Sequence, residues 1–156
     1  MPFDTPAVRA IGATGLAYRL VRTAIPSSAE ESAALQGIAV GNLLRSIVVR
    51  RGESDYVFVL VPGGRHIDWP KLRAVLGVRR LSLPDRDEAK AATGYERGAI
   101  TPFGSTVSWP VIADASVAGA GEVAIGAGER GANFHLDAGD LLDALGAKIA
   151  DVTAAD

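Results

Sequence analysis

Leu43-Leu44-Arg45-Ser46-Ile47-Val48-Val49, then Arg50-Arg51-Gly52-Glu53-Ser54-Asp55, then Tyr56-Val57-Phe58-Val59-Leu60-Val61: two short β-branched runs flank a polar, glycine-bearing connection, the pattern of a β-hairpin. Both runs are apolar enough to lie centrally in a sheet, and Pro62-Gly63-Gly64 ends the second. Upstream, Thr5 caps a helix over 5–15, with Pro6 at its first position, Gly15 as its stop, and Val8, Ile11 and Leu16 on one stripe. Residues 17–23 read as a strand, with Tyr18 and Leu20 on one face and Arg19 on the other. Pro26 breaks it, and Ser27 or Ser28 caps a helix over 29–36 that carries Glu30 and Glu31 in its first turn and stops at Gly37.

Downstream, Asp68 followed by Trp69-Pro70 predicts a further capped helix closing at Gly77, then a short strand over 78–83. An acidic helix over 87–93 starts from Pro84-Asp85 and stops at Gly94. Three glycines and a proline inside 94–104 predict a shaped loop. Strands follow over 109–113 and 122–125, a turn over 126–131, a strand over 132–136, a helix over 138–145 capped by Asp137, and a last strand over 148–152. Strands and helices mix without βαβ alternation, so the expected class is α+β: a mixed, mainly antiparallel β-sheet or partial barrel flanked by helices.

The 156 residues, 48% hydrophobic and 22% charged, suit a single domain spanning 1–156 with an apolar core. With no cysteine, disulfide frameworks, thiolate zinc sites and cysteine nucleophiles are excluded. The start of the chain lacks the basic and apolar regions of a secretion signal, and no run is long enough to span a membrane, so a cytoplasmic protein with no membrane partner is expected. A net charge of −2 argues against a DNA-coating protein, and no DNA partner is expected. Residues 1–78 hold nine Lys/Arg against six Asp/Glu and residues 79–156 seven against twelve, which points an anionic partner toward the first half.

Gly126-Ala127-Gly128-Glu129-Arg130-Gly131 matches G-x-G-x-x-G as a string, but a dinucleotide fingerprint opens a helix and this one leads to a strand. It reads as a tight turn. His66 and His135 lie in different contexts, and no metal site is expected. His66 reads as a surface residue; His135, sharing a strand face with Asn133, reads as facing solvent. Ser105, Ser108 and Ser116 lack the nucleophile-elbow context of a serine hydrolase. Arg45 in its apolar run has two readings: the wet face of an edge strand, or a cation at a pocket for phosphate or an ester. Gly98 and Pro102 shape a loop whose amides are placed to bind a carbonyl oxygen, or one that packs with no ligand.

The order of these landmarks resembles the YbaK family, the aminoacyl-tRNA editing fold found free-standing and within bacterial prolyl-tRNA synthetases. The resemblance covers nearly the whole chain: Thr5-Pro6-Ala7-Val8; Arg45-Ser46-Ile47-Val48, where the family has Lys-Thr-Leu-Val; Asp68-Trp69-Pro70-Lys71-Leu72; and Gly94-Tyr95-x-x-Gly98-x-Ile100-Thr101-Pro102-Phe103-Gly104. It continues through Val111-Ile112-Ala113-Asp114, the 126–131 turn, Asp140-Leu141-Leu142 and Ala150-Asp151-Val152. It implies hydrolysis, in trans, of the ester joining a wrong amino acid, often alanine or cysteine on proline tRNA, to the acceptor end of tRNA. No cofactor is implied, and an aminoacyl-tRNA synthetase is implied as a further partner.

By the same resemblance, Arg45 and Gly98 are the catalytic candidates, and Thr23, Ser46, Ala99, Ile100, Thr101, Pro102, Gly126 and Asn133 the substrate-binding ones. Gly126 stands where cysteine-editing members have serine, Thr23 approximately where they have tyrosine, and Asn133 where they have aspartate. Arg22, Arg50 and Arg51 are the candidate tRNA contacts. The alternative reading is a catalytically inactive tRNA- or protein-binding relative in which Arg45 replaces the functional lysine.

Overall fold

In the computed structural model, which describes residues 3–156, the chain runs through α1 (Pro6–Thr14), β1 (Arg19–Arg22), α2 (Ala29–Gln36), β2 (Leu44–Gly52), β3 (Asp55–Pro62), β4 (Arg65–Ile67), α3 (Trp69–Leu76), α4 (Arg86–Thr93), β5 (Val111–Asp114), β6 (Glu122–Gly126), β7 (Ala132–Asp137), α5 (Ala138–Leu145), β8 (Lys148–Ala150) and β9 (Thr153–Ala155). Met1 and Pro2, part of the N-terminal stretch read for a secretion signal, lie outside the described residues. No helix of the described residues is long and apolar enough to cross a membrane.

The hairpin extends beyond its apolar runs. β2 and β3 pair antiparallel from Leu44 opposite Pro62 to Gly52 opposite Asp55, with a register shift between Arg50 and Gly52, so the turn shrinks to Glu53-Ser54. β3 is buried on both faces because successive side chains alternate. Tyr56, Phe58 and Leu60 enter one core with Ile11, Phe103, Phe134 and Leu141, while Val57, Val59 and Val61 enter a second with Leu72, Ile112 and Val152 beneath α3.

β5 and β8 extend this sheet in parallel, in the order β2-β3-β5-β8. A second sheet, β1-β7-β6, is antiparallel, and β4 pairs antiparallel with β9. An isolated bridge from Leu43 to Ala124 brings the start of β2 against β6. The architecture is α+β and mainly antiparallel, without closure into a barrel.

The expected caps form as local chemistry dictates. Thr5, Ser28, Asp68, Asp85 and Asp137 each accept from an amide in the first turn of the helix that follows. Three expectations are corrected. Residues 78–83 form no strand; Ser82 alone bridges to Arg50, because Arg79 and Arg80 stay solvated and Pro84 has no amide to continue a ladder. The final strand is two, β8 and β9, and β4 was not expected at all. His135 is buried, only 2% exposed, because α2 covers its face of β7: its Nε2 lies 2.9 Å from Gln36 Oε1, and Gln36 Nε2 donates to Ser32 Oγ at 2.9 Å. Burial, helped by nearby Arg19 and opposed by Glu122, holds its pKa below the usual histidine value.

The 94–104 loop is fixed at both ends. Tyr95, its phenol pushed up to about 12 by burial, donates from its hydroxyl to the Phe103 carbonyl at 2.7 Å. Gly104 (φ +71°) lies so close to α1 that an added Cβ would meet Pro6 C and O at 2.5 Å and Ala7 N at 2.8 Å. Both obstacles are backbone. Gly104→Ala therefore combines left-handed strain with overpacking and is expected to destabilise by about 2–4 kcal/mol. Urea unfolding measures it, and a loss under about 1 kcal/mol would contradict this packing.

Candidate active site

Where the start of β2 faces the 94–104 loop and the β6–β7 turn, a cavity of about 550 Å³ opens to solvent. Its floor comes from alternation in β2: Leu44 and Val48 point into the core, and Ser46, between them, faces the same way. The Ser46 hydroxyl is buried and has no hydrogen-bond partner. The other walls are the 25–29 segment with Ser32 of α2, Leu83 and Pro84, the loop residues Arg97, Gly98 and Ile100, and Gly126 with 130–133.

The lining holds three arginines, Arg45, Arg97 and Arg130, and no carboxylate. None of the three forms an ion pair among the described residues. Arg45 is exposed at the wall shared with a second depression containing His66 and Trp69, and its guanidinium donates to the Arg65 carbonyl of β4. That bond aims the side chain along the rim without neutralising it. Gly98 (φ +88°) turns the loop against Arg130, whose Nε lies 3.0 Å from where a Cβ would stand. The Ala99 amide is engaged by the Glu96 carbonyl at 2.9 Å.

Of the residues named from sequence, Arg45, Ser46, Gly98, Ile100, Gly126 and Asn133 are brought together on this lining. Thr23, Ala99, Thr101 and Pro102 are not part of it. Ala99 and Thr101 are buried behind the loop. Thr23 stands just outside, its amide donating to the Gly131 carbonyl at 2.8 Å. A Cβ at Gly126 would meet the Ile100 carbonyl oxygen at 3.4 Å and Thr101 Cβ at 3.9 Å, so the loop and the turn are in van der Waals reach.

Arg22 is elsewhere, 4.5 Å over the Phe3 ring and 3.9 Å from Glu129. Arg50 and Arg51 lie farther along β2, paired with Glu88 and Asp55. Arg97 and Arg130 were missed from sequence, although both sit inside the glycine-bearing motifs that were singled out. Among the described residues no group of three or more His, Cys, Asp or Glu is placed to hold a metal ion.

An uncompensated cationic cavity with neutral hydrogen-bonding groups and a glycine-shaped wall is a site for an anionic ligand approached closely by main chain. The aminoacyl-tRNA editing domain matches residues 25–144. A protein of Enterococcus faecalis named as a Cys-tRNA(Pro)/Cys-tRNA(Cys) deacylase, EbsC, is 25% identical over 81% of this chain and 77% of its own. The proline–tRNA ligase of Stenotrophomonas maltophilia is 33% identical over 84% of this chain, which spans only 23% of that enzyme. A crystal structure described as a trans-editing enzyme for prolyl tRNA synthetase superposes with a TM-score of 0.86 at 27% identity, covering 98% of this chain and 99% of that one.

The chain belongs to the aminoacyl-tRNA editing domain family. Its activity class is that of an aminoacyl-tRNA deacylase, a hydrolase, and neither fold nor relatives favour the inactive alternative.

Proposed function

We propose that the cavity bounded by Arg45 and Gly98 receives the acceptor end of a mischarged tRNA and hydrolyses its aminoacyl ester in trans, in the cytoplasm, beside an aminoacyl-tRNA synthetase. The observation that carries this is the gathering, among the described residues, of three arginines without an ion-pair partner and the glycine-shaped loop around one cavity whose lining holds no carboxylate. The terminal phosphates supply the missing anions. The α-ammonium of the amino acid, repelled by the guanidiniums, is received by the neutral oxygens of Ser46 and Asn133.

Water adds to the ester carbonyl, and the oxyanion that develops is stabilised by Arg45 and by the amides of Gly98 and Ile100. The bond from the carbonyl carbon to the ribose oxygen then breaks. The proton lost by water ends on the ribose oxygen, leaving a free amino acid and an intact tRNA. Ala99, Thr101 and Pro102 act from behind the wall, keeping the loop in shape, and Thr23 supports the turn through Gly131.

Deacylation assays over a panel of mischarged tRNAs test the reading. Wild type is expected to release at least one amino acid, with Arg45→Ala lowering kcat/KM by about 10- to 100-fold and Arg45→Lys retaining most of it. Absence of release by wild type from every mischarged tRNA would end the proposal.

A further inference from the structure

A second concentration of positive charge lies away from the ester cavity. Arg50, Arg51, Arg73, Arg79 and Arg80 surround a surface depression of about 530 Å³ whose lining has no acidic residue. Two of the five have partners: Arg50 Nε is 3.4 Å from Glu88, and Arg51 makes a two-pronged contact with Asp55 at 3.0 Å. Arg73, in the last turn of α3, and Arg79 and Arg80, just beyond it, form no ion pair among the described residues. Three unpaired guanidiniums beside two paired ones repel one another and add nothing to the core. A polyanion docked there relieves that repulsion.

Its position relates it to the first site. The backbones of Arg50 and Ser82 exchange hydrogen bonds of 2.8 and 3.1 Å, an isolated antiparallel bridge that holds the segment around Ser82 against β2. One end of that segment carries Arg79 and Arg80 into the depression, and the other carries Leu83 and Pro84 into the ester cavity. From Arg45 to Arg50 along β2 is about 17 Å at the rise of a strand. A tRNA with its terminal adenosine in the cavity extends outward as a short single strand and then as a duplex, on this length scale.

We propose that the five-arginine depression is the docking site for backbone phosphates of the acceptor-stem duplex, with Arg73, Arg79 and Arg80 as the principal contacts. The identity of the RNA rests on the deacylase reading; the two-point hold is the new element. Contacts of this kind read A-form shape and position the substrate without selecting bases.

Fluorescence anisotropy with an uncharged acceptor-stem minihelix, and separately with its single-stranded 3′ overhang, tests this between about 50 and 200 mM salt. For Arg73→Ala/Arg79→Ala/Arg80→Ala, minihelix affinity is expected to fall at least about tenfold, and the slope of log affinity against log salt to become shallower by about 2–3. Overhang binding should change by less than about twofold, since the duplex phosphates carry the contact. Arg79→Gln/Arg80→Gln, at two exposed positions, keeps the test valid should the triple variant fold poorly, with a slope shallower by about 2.

Unchanged minihelix affinity and slope would overturn the proposal. So would wild-type binding no tighter to the minihelix than to the overhang, or an equal loss for both RNAs. Because these RNAs are uncharged, failure of wild type to hydrolyse any mischarged tRNA sinks the proposed reaction and not this site. Intact hydrolysis with unchanged minihelix binding sinks this site alone.

Discussion

Gly98→Val is expected to lower kcat/KM for release of the amino acid by about 100-fold or more while leaving a folded protein. Gly98 sits at φ +88°, where a β-branched residue is a severe outlier. Its new Cβ would also stand 3.0 Å from Arg130 Nε, 3.6 Å from Cγ and 3.7 Å from Cδ. The added bulk therefore points at the stem of a cationic side chain before it points at substrate. Two consequences are expected together: the loop leaves the geometry in which, on the proposed mechanism, its amides face the oxyanion, and Arg130 is displaced from the cavity.

The fold survives because Gly98 is exposed and the loop is anchored elsewhere, by Tyr95 on the Phe103 carbonyl and by Gly104 against α1. Gly98→Ala has the same left-handed strain with less bulk, so its loss is expected to be smaller. Circular dichroism and thermal melting separate an activity effect from unfolding. Turnover by folded Gly98→Val equal to wild type would show that this segment does not face the ester.

Whatever depends on a few neighbouring residues was legible before the structure. An N-cap needs one side-chain oxygen and the amide three residues on, so Thr5, Asp68 and Asp137 announced their helices, while Ser27 and Ser28 announced one without deciding which of them caps it and Pro84-Asp85 marked only where another begins. The hairpin announced itself because its turn is local and β3 alternates between two cores. β4 and β9 escaped notice: each is three residues long, and they pair across nearly 90 positions, Arg65 opposite Ala155 and Ile67 opposite Thr153. His135 was misread for a related reason. Alternation on β7 marks its face, but the helix that buries that face lies 99 residues earlier at Gln36.

The site shows the same division. Gly98, Ile100, Gly126, Arg45 and Ser46 belong to motifs, and the structure places them on one cavity. Which loop residues face the cavity and which stand behind it depends on side-chain direction within an irregular segment, where no period applies. Ala99 and Thr101 were therefore indistinguishable in sequence from Gly98 and Ile100. Charge was equally opaque: counting arginines by halves separated Arg50 and Arg51 from Arg79 and Arg80, which one backbone bridge at Ser82 reunites.

Asp114→Asn is expected to destabilise the protein by about 3 kcal/mol at neutral pH. The buried Asp114 carboxylate accepts from the amides of Val152 and Thr153 at 3.1 Å each on Oδ1, and from the Ser116 amide at 3.0 Å and the Ser116 hydroxyl on Oδ2; Arg65 Nε lies 3.8 Å away. Every neighbour is a donor, so the acceptor-only carboxylate satisfies them all, whereas an amide would turn N–H groups against N–H groups. Burial pushes the Asp114 pKa up, but the hydrogen bonds from Ser116, Val152 and Thr153 outweigh it and hold the group below its ordinary value.

A carboxyl depressed in the folded state contributes stability that is fully present above the unfolded value of about 4 and is lost as pH falls through the lower folded value. Urea unfolding as a function of pH should show that acid loss in wild type and a flatter profile in Asp114→Asn. A destabilisation below about 1 kcal/mol, or an unaltered acid profile, would refute the assignment. The same carboxylate reaches the site at one remove. Arg65, held by Asp114 and by Thr153 Oγ1 at 2.7 Å, offers the backbone carbonyl that receives the Arg45 guanidinium. On the proposed reaction, Asp114 is expected to act as a positioning residue for Arg45. Assayed at a temperature where it remains folded, Asp114→Asn should lower kcat/KM several-fold in wild type yet add little to Arg45→Ala, the non-additivity expected of residues acting through one another.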